Sequence, residues 1–298
     1  MVSKSSLCSI ICAIFVIFFI FLVPSPLSLA LSTIQEPLSL PTSYPSEKEA
    51  SPDVYYLTET NNVVATNDKP EYDIFTNKER EERNLPTALT AIEPYYGDKI
   101  IYLTFDDGPS PEHTPLILAI LKENNVKATF FVVGTEAEKY SDLVKQIYTE
   151  GHAIGNHTYN HVYRELYQST LTYAEQLQHN DQIIKNIINV RPRISRAPGG
   201  STGHFTTKYW ESLKTLGYIE VGWNISSGDA STAKADSILQ NIMNQTNKNT
   251  FLWSHAILLM HDGKGHEETV KALPSIIKFY KELGFEFCVI NATTPPAW

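Results

Sequence analysis

The chain has 298 residues, 42% of them hydrophobic and 19% charged, with 14 Gly, 17 Pro and 3 Cys. That composition excludes collagen-like and low-complexity chains, and the length allows one or two domains with a sizeable core. A formal net charge of −9 argues against binding nucleic acid or an anionic membrane surface, since both require basic patches. Cys8 and Cys12 lie inside an apolar N-terminal run, which leaves Cys288. Neither a disulfide framework nor a cysteine-ligated zinc site is available.

Lys4 precedes a 17-residue apolar run, Leu7 to Val23, the pattern of an export signal. Ser28 and Ala30 put small residues at −3 and −1 of a cut after Ala30. The run is also at the low edge of what spans a bilayer, so an uncleaved anchor is the alternative. Either way residues 1–30 are expected to place the rest of the chain outside the cytoplasm. Residues 31–96 hold seven prolines and no glycine, with 12 acidic against 5 basic residues. This composition predicts an extended, self-repelling spacer, with a short helix over Asn77 to Leu85 and a small independent domain as the alternative. Residues 97–298 form the expected globular part.

From Gly97 the pattern changes. Ile100 to Phe105 reads as a buried strand, ended by the turn signal Asp106-Asp107-Gly108-Pro109. A helix over Thr114 to Glu123 and a strand over Ala128 to Val133 follow. Lys139 to Thr149 is an amphipathic helix, His152 to Gly155 a brief strand, and Leu171 to Ile188 a long helix. Ile194-Ser195-Arg196 leads into Pro198-Gly199-Gly200. Then come helix Tyr209 to Leu216, strand Tyr218 to Trp223, helix Ala235 to Asn244, strand Ala256 to Met260, helix Val270 to Leu283 and strand Phe285 to Ile290. Strands alternating with helices predict a parallel α/β sheet or a (β/α) barrel.

The polar residues fall in a pattern. Asp106-Asp107, His157, Arg196, Asp229 and His261-Asp262 lie at or just after the ends of predicted strands. In α/β barrels that end carries the active site. Adjacent carboxylates on an extended segment point in different directions, so Asp106 and Asp107 are expected to divide their labour. His157 and His161 stand four apart and would converge on one face if their segment turned helical. With one carboxylate they would make three protein ligands and an open position, the arrangement of a catalytic zinc. His261 is a third candidate imidazole. Arg196 could pair with a carboxylate beside a backbone that glycine lets a ligand approach closely.

In order, TFDDG (Thr104 to Gly108), HTYNH (157 to 161), RAPGG (196 to 200), WNISSGDA (223 to 230) and LLMHD (258 to 262) resemble the five motifs of the polysaccharide deacetylase family, the NodB-homology group or carbohydrate esterase family 4. The resemblance covers Lys99 to Ile290 and is greatest to secreted or tethered bacterial deacetylases of cell-wall glycans. It implies a distorted (β/α) barrel and a metal-dependent N-deacetylase using zinc, cobalt or another divalent ion. Asp107, His157 and His161 would hold the metal. Asp106 would be the base, Arg196 its orienting partner, His261 the acid, and Asp229 the group holding its imidazole. Gly199 would offer a backbone N–H to the oxyanion, Leu259 an apolar wall for the acetyl methyl, and Trp223 part of the sugar-facing wall. The implied partner is a polysaccharide, peptidoglycan or a chitin-like glycan, acted on outside the cytoplasm by a monomer. O-deacetylation of a xylan-type ester is an alternative, and a silent glycan-binding relative a remote one. The chain departs from the family at Ala197, where a second proline is common, and at Ala230, where tryptophan often follows the aspartate.

Overall fold

A computed structural model describes residues 54–59, 66–88, 90 and 92–297. The expected export signal or anchor, residues 1–30, lies outside them. Among the described residues no helix is long and apolar enough to cross a membrane.

The sheet is built on two mostly apolar runs. Strand β3 (Ile100–Asp106) is buried along its whole length, and β10 (Ala256–His261) along all but its last residue. Runs like these suit a parallel sheet covered on both faces. In chain order the elements around them are β4 (Thr129–Val132), β5 (Ala153–Asn156), β6 (Arg191–Pro192), β7 (Ile194–Ser195), β8 (Ile219–Glu220), β9 (Ile225–Ser226) and β11 (Glu286–Cys288). The eight-stranded sheet runs β8-β7-β5-β4-β3-β10-β9, with β11 also on β3, and every pairing in it is parallel. One edge of β3 is taken by β10, while the other is shared between β11 at Ile100–Tyr102 and β4 at Thr104–Asp106. The end strands β8 and β9 do not pair, and no helix separates them. The expected distorted barrel is therefore an open one, a half-barrel of parallel strands with helices outside.

Period-two alternation decides which side chains face inward. Ile101, Leu103 and Phe105 pack outward with Ile117, Leu118 and Leu121 of helix α2 (Thr114–Glu123) and with Leu273, Ile276 and Ile277 of α9 (Glu267–Glu282). Ile100 and Tyr102 face the interior with Phe131, Ile194 and Ile257. Thr104 and Asp106 continue that inward register. His261 is the register partner of Asp106 on β10, so the two stand side by side at the strand ends.

The spacer expectation needs correction. Within residues 54–87, β1 (Tyr55–Leu57) pairs in parallel with β2 (Glu71–Asp73), and β2 pairs antiparallel with β6. Helix α1 (Asn77–Glu82) starts with a capping box between Thr76 and Glu79, in line with the short helix expected there. Residues 31–53 and 60–65 of the expected spacer lie outside the described residues; over 54–59 and 66–87 the segment is neither extended nor independent, because its charges are buried against the α/β body. Arg80 binds Asp73 through Nε at 2.6 Å and Nη2 at 2.8 Å, and Arg191 Nη2 donates to the same carboxylate at 3.1 Å. Arg193 Nη1 lies 3.4 Å from Glu71. The Tyr72 hydroxyl accepts from the Ile154 N–H at 3.0 Å, fixing β2 to β5.

Removing one partner of a buried ion pair leaves an uncompensated charge and costs about 3–5 kcal/mol. A chain beginning at Tyr95 would lose Glu71, the acid of Arg193, and Asp73, one of the two acids of Arg191. Its thermal midpoint should fall by more than ~10 °C, since 1 kcal/mol moves the midpoint ~2–4 °C in a domain of this size. An unchanged midpoint in differential scanning calorimetry would show the segment to be dispensable.

Candidate active site

Asp107, His157 and His161 meet at the C-terminal ends of β3 and β5. Asp107 Oδ1 lies 3.4 Å from His157 Nε2 and 3.2 Å from His161 Nε2. The histidines do not converge on a helix, as the four-residue spacing suggested. They converge because a loop carries left-handed residues, Thr158 at φ 68° and His161 at φ 56°. Asp107 itself has φ 74°, which turns its side chain away from that of Asp106. Such backbone outliers persist only where the surroundings hold them, and they concentrate at functional sites.

These three residues pass a chemical test for a cation. His157 Nδ1 lies 2.8 Å from the Arg196 carbonyl, which can only accept, so Nδ1 carries the proton and Nε2 presents a lone pair. Asp107 Oδ1 is buried and makes no hydrogen bond. A carboxylate oxygen and imidazole nitrogens that converge without a hydrogen bond suit a divalent ion with two nitrogen ligands and one oxygen ligand. Burial alone would raise the Asp107 carboxyl, but His157 and His161 hold it well below the usual carboxylate range.

A second cluster, Asp229, His261 and His266, fails the same test. Asp229 accepts from Ser227 Oγ (2.7 Å), Thr269 Oγ1 (2.7 Å), the His261 N–H (2.8 Å) and His261 Nδ1 (2.8 Å). Four donors leave this carboxylate no capacity for a metal. The arrangement is instead a histidine held by its aspartate, with the His266 ring stacked at 4.9 Å. Burial works against the imidazolium, but the Asp229 hydrogen bond and charge push His261 up to about 9.

Arg196 is fully buried between the clusters. Its Nη1 donates to Asp106 Oδ1 at 2.8 Å and Thr104 Oγ1 at 2.7 Å, Nη2 to the Gly222 carbonyl at 2.9 Å, and Nε to the Val221 carbonyl at 2.9 Å. Its guanidinium lies 4.1 Å from the Phe131 ring centroid. Asp106 Oδ1 is thereby occupied, while Oδ2 lies 3.8 Å from His157 Nε2 and faces the first cluster.

The remaining sequence candidates are placed differently. Gly199 has φ 73°, and a Cβ there would meet the Tyr163 ring at 2.7 Å. Trp223 lies over Gly200 and within 5.9 Å of the Arg196 guanidinium. Leu259 is buried in β10. None of the three lines the cavity of about 510 Å³ that opens beside Asp107 and His161, whose walls include Ser110, Glu112, Tyr140, Lys264 and His266. The sequence reading did not single out Thr104, Ser227, Thr269 or His266. Thr104 and Ser227 stand inside the motifs TFDDG and WNISSGDA, which could have marked them, whereas His266 and Thr269 follow LLMHD with no signal of their own. Asp262 is buried against Thr114 at 2.5 Å, and burial pushes it up to about 7. A Cβ at Gly108 would lie 2.2 Å from its Oδ2, which explains the glycine of TFDDG.

A model of the polysaccharide deacetylase family matches residues 94–221. A peptidoglycan-N-acetylglucosamine deacetylase of Bacillus cereus is 34% identical over 195 residues, 63% of this chain and 68% of that protein. A chitooligosaccharide deacetylase of Bradyrhizobium is 30% identical over 66% of this chain and 94% of its own length. The catalytic domain of a peptidoglycan N-acetylglucosamine deacetylase from Eubacterium rectale superposes with a TM-score of 0.63 at 30% identity, covering 70% of this chain and 96% of that domain. The chain belongs to the polysaccharide deacetylase family. Like the other polysaccharide deacetylases it is a hydrolytic enzyme. Its departure at Ala197 has a local cause: the Ala197 N–H donates to Glu220 Oε1 at 2.5 Å, and Ser195 Oγ donates to Oε2 at 2.7 Å. Proline has no N–H to give.

A histidine raised to about 9 contributes stability fully present below its unfolded value of about 6.5 and lost as pH rises through 9. In metal-free protein, His261 should titrate near 9 by NMR. Asp229→Asn should bring it down toward ~6.5, the unperturbed value. A His261 titration that Asp229→Asn left in place would rule out the aspartate as the cause.

Proposed function

We propose that this deacetylase removes N-acetyl groups from amino-sugar residues of a cell-wall polysaccharide, peptidoglycan first, outside the cytoplasm and with a divalent metal. The observation that carries the reading is the unbonded Asp107 Oδ1 facing the Nε2 atoms of His157 and His161, with Asp106 on one side and the His261–Asp229 pair nearby. The relatives named for peptidoglycan and for chitooligosaccharides support an amino-sugar substrate.

Asp107, His157 and His161 would hold the ion, zinc or cobalt fitting the nitrogen-rich set. When bound, it supplies Lewis-acid polarisation of the acetyl carbonyl and a water of lowered pKa. Asp106 takes the proton of the attacking water on Oδ2, because Arg196 occupies Oδ1 and fixes the plane of the carboxylate. The Gly199 region offers backbone N–H to the oxyanion of the tetrahedral intermediate. His261, with Nδ1 bound to Asp229, gives the proton of its other nitrogen to the departing amine. The products are acetate and a glucosamine-type residue still in its chain.

Chelation should abolish activity, and added zinc or cobalt should restore it, with acetyl loss from muropeptides and chitooligosaccharides read by mass spectrometry. Full turnover by protein shown to be metal-free would overturn the metal assignment. Acetyl loss confined to chitooligosaccharides would move the substrate from peptidoglycan to a chitin-like glycan, and loss confined to xylan esters would replace the N-deacetylase reading.

The acid and the base can be separated. An amide nitrogen must be protonated to leave, whereas an activated aryl ester expels a phenolate unaided. Loss of a general acid or base costs about 10²- to 10⁴-fold. His261→Ala should therefore suffer a loss of that order on an N-acetyl sugar and far less on an aryl acetate, while Asp106→Asn should be impaired on both, at unchanged metal content. Equal losses for His261→Ala on the two substrates would remove it from the acid role.

A further inference from the structure

The loop carrying His157 and His161 is rooted in a buried hydrogen-bond chain that leads to residues outside the stretch matched by the family model. Asn156, the last residue of β5, sets the turn: its Oδ1 accepts from the Thr158 N–H at 2.9 Å and from Asn180 Nδ2 at 3.0 Å. Its Nδ2 donates to Asp181 Oδ1 at 2.7 Å and to the Leu177 carbonyl at 2.8 Å. Asp181 Oδ2 accepts from Tyr218 Oη at 2.5 Å and from Arg191 Nη1 at 3.1 Å. Arg191 spans onward to Asp73 Oδ2 at 3.1 Å and, through Nε, to the Phe75 carbonyl at 2.9 Å. Asn156, Asp181, Arg191 and Asp73 are all buried.

The chemistry of this chain has a direction. An ionised Asp181 only accepts, so it takes the amino end of the Asn156 amide and leaves Oδ1 for the Thr158 N–H. That bond holds Thr158 at φ 68°, a conformation a β-branched residue adopts only when its surroundings impose it. Arg191 keeps Asp181 in place and is itself held by Asp73 and Phe75. We propose that the chain Asp73–Arg191–Asp181–Asn156 is a brace through which residues 71–80 position the metal-binding loop, with Asp181 and Arg191 as positioning residues. This rests on the reading of Asp107, His157 and His161 as metal ligands.

The test titrates Co²⁺ into metal-free full-length protein against a chromophoric chelator and records the cobalt d–d absorption. Arg191→Lys keeps the charge but cannot span Asp73 and Asp181. Asp181→Asn removes the acceptor-only group that orients Asn156. Loss of groups that orient metal ligands typically weakens metal binding 10- to 100-fold. Both variants should lose Co²⁺ affinity on that scale and shift the d–d bands. Leu118→Ala, a core cavity in α2 away from the network, should lower the thermal midpoint and leave Co²⁺ affinity as in the wild type. Should Asp181→Asn fail to fold, Arg191→Lys decides. Wild-type affinity and spectrum in folded Arg191→Lys would overturn the brace, as would an equal loss in Leu118→Ala. Absence of Co²⁺ binding by the wild-type protein would instead refute the metal reading on which the brace depends.

Discussion

One guanidinium ties the site together. Arg196 follows β7, yet it bonds Asp106 and Thr104 of β3, the carbonyls of Val221 and Gly222 after β8, and, through its own carbonyl, His157 after β5. Its backbone N–H donates to the Asn156 carbonyl at 3.0 Å. A barrel left open between β8 and β9 needs its β8 margin held in register with its centre, and this planar group does so with four of its five N–H donors. The backbone carbonyl of the same residue fixes the tautomer of His157, and its guanidinium fixes the orientation of the proposed base. Lysine at this position could satisfy at most three acceptors and would not lie flat on Phe131.

Strand identity and the inward side of each strand were legible because both follow from local chemistry. The run Ile100 to Phe105 is apolar at every position but Thr104, which marks a strand covered on both faces, and alternation from Tyr102 through Thr104 carries Asp106 inward. The buried runs at Phe130–Phe131 and Ile257–Met260 are equally plain. The predicted strand Tyr218 to Trp223 shortens to Ile219–Glu220, because Val221 and Gly222 spend their carbonyls on Arg196 rather than on a neighbouring strand. The predicted helix Lys139 to Thr149 is preceded by a separate turn of helix, Gly134–Lys139, with Tyr140 between them.

The spacer was misread for a physical reason. An excess of acid and proline with no glycine describes a chain that repels itself, but only if nothing of opposite charge waits elsewhere. Glu71 and Asp73 meet Arg193 and Arg191 more than a hundred residues later, and Asp73 also meets Arg80. Those arginines flank Pro192, just before the RAPGG motif, and in sequence they look like ordinary surface charges. Charge balance counted segment by segment cannot reveal a pairing across a sheet. The histidine loop shows the same limit on a smaller scale. Spacing identified His157 and His161 as partners, while the means of convergence, a left-handed Thr158 held by Asn156, depends on a side chain whose own orientation is set by Asp181.

Proton traffic at the proposed site is divided by what each carboxylate touches. Asp106 and Asp229 are both buried and both engaged through Oδ1, yet one meets a guanidinium and the other an imidazole. A guanidinium does not give up its proton at any working pH, so Asp106 is held in position without exchanging a proton with its partner. An imidazole pushed up to about 9 stays charged at neutral pH and can still deliver its proton to a departing amine. Had the partners been exchanged, the acid would have been an arginine that cannot act, and the base would have competed with its own neighbour for the proton it must take. In the proposed reading the motifs are therefore paired by chemistry: TFDDG has the arginine of RAPGG beside it, and LLMHD has the aspartate of WNISSGDA.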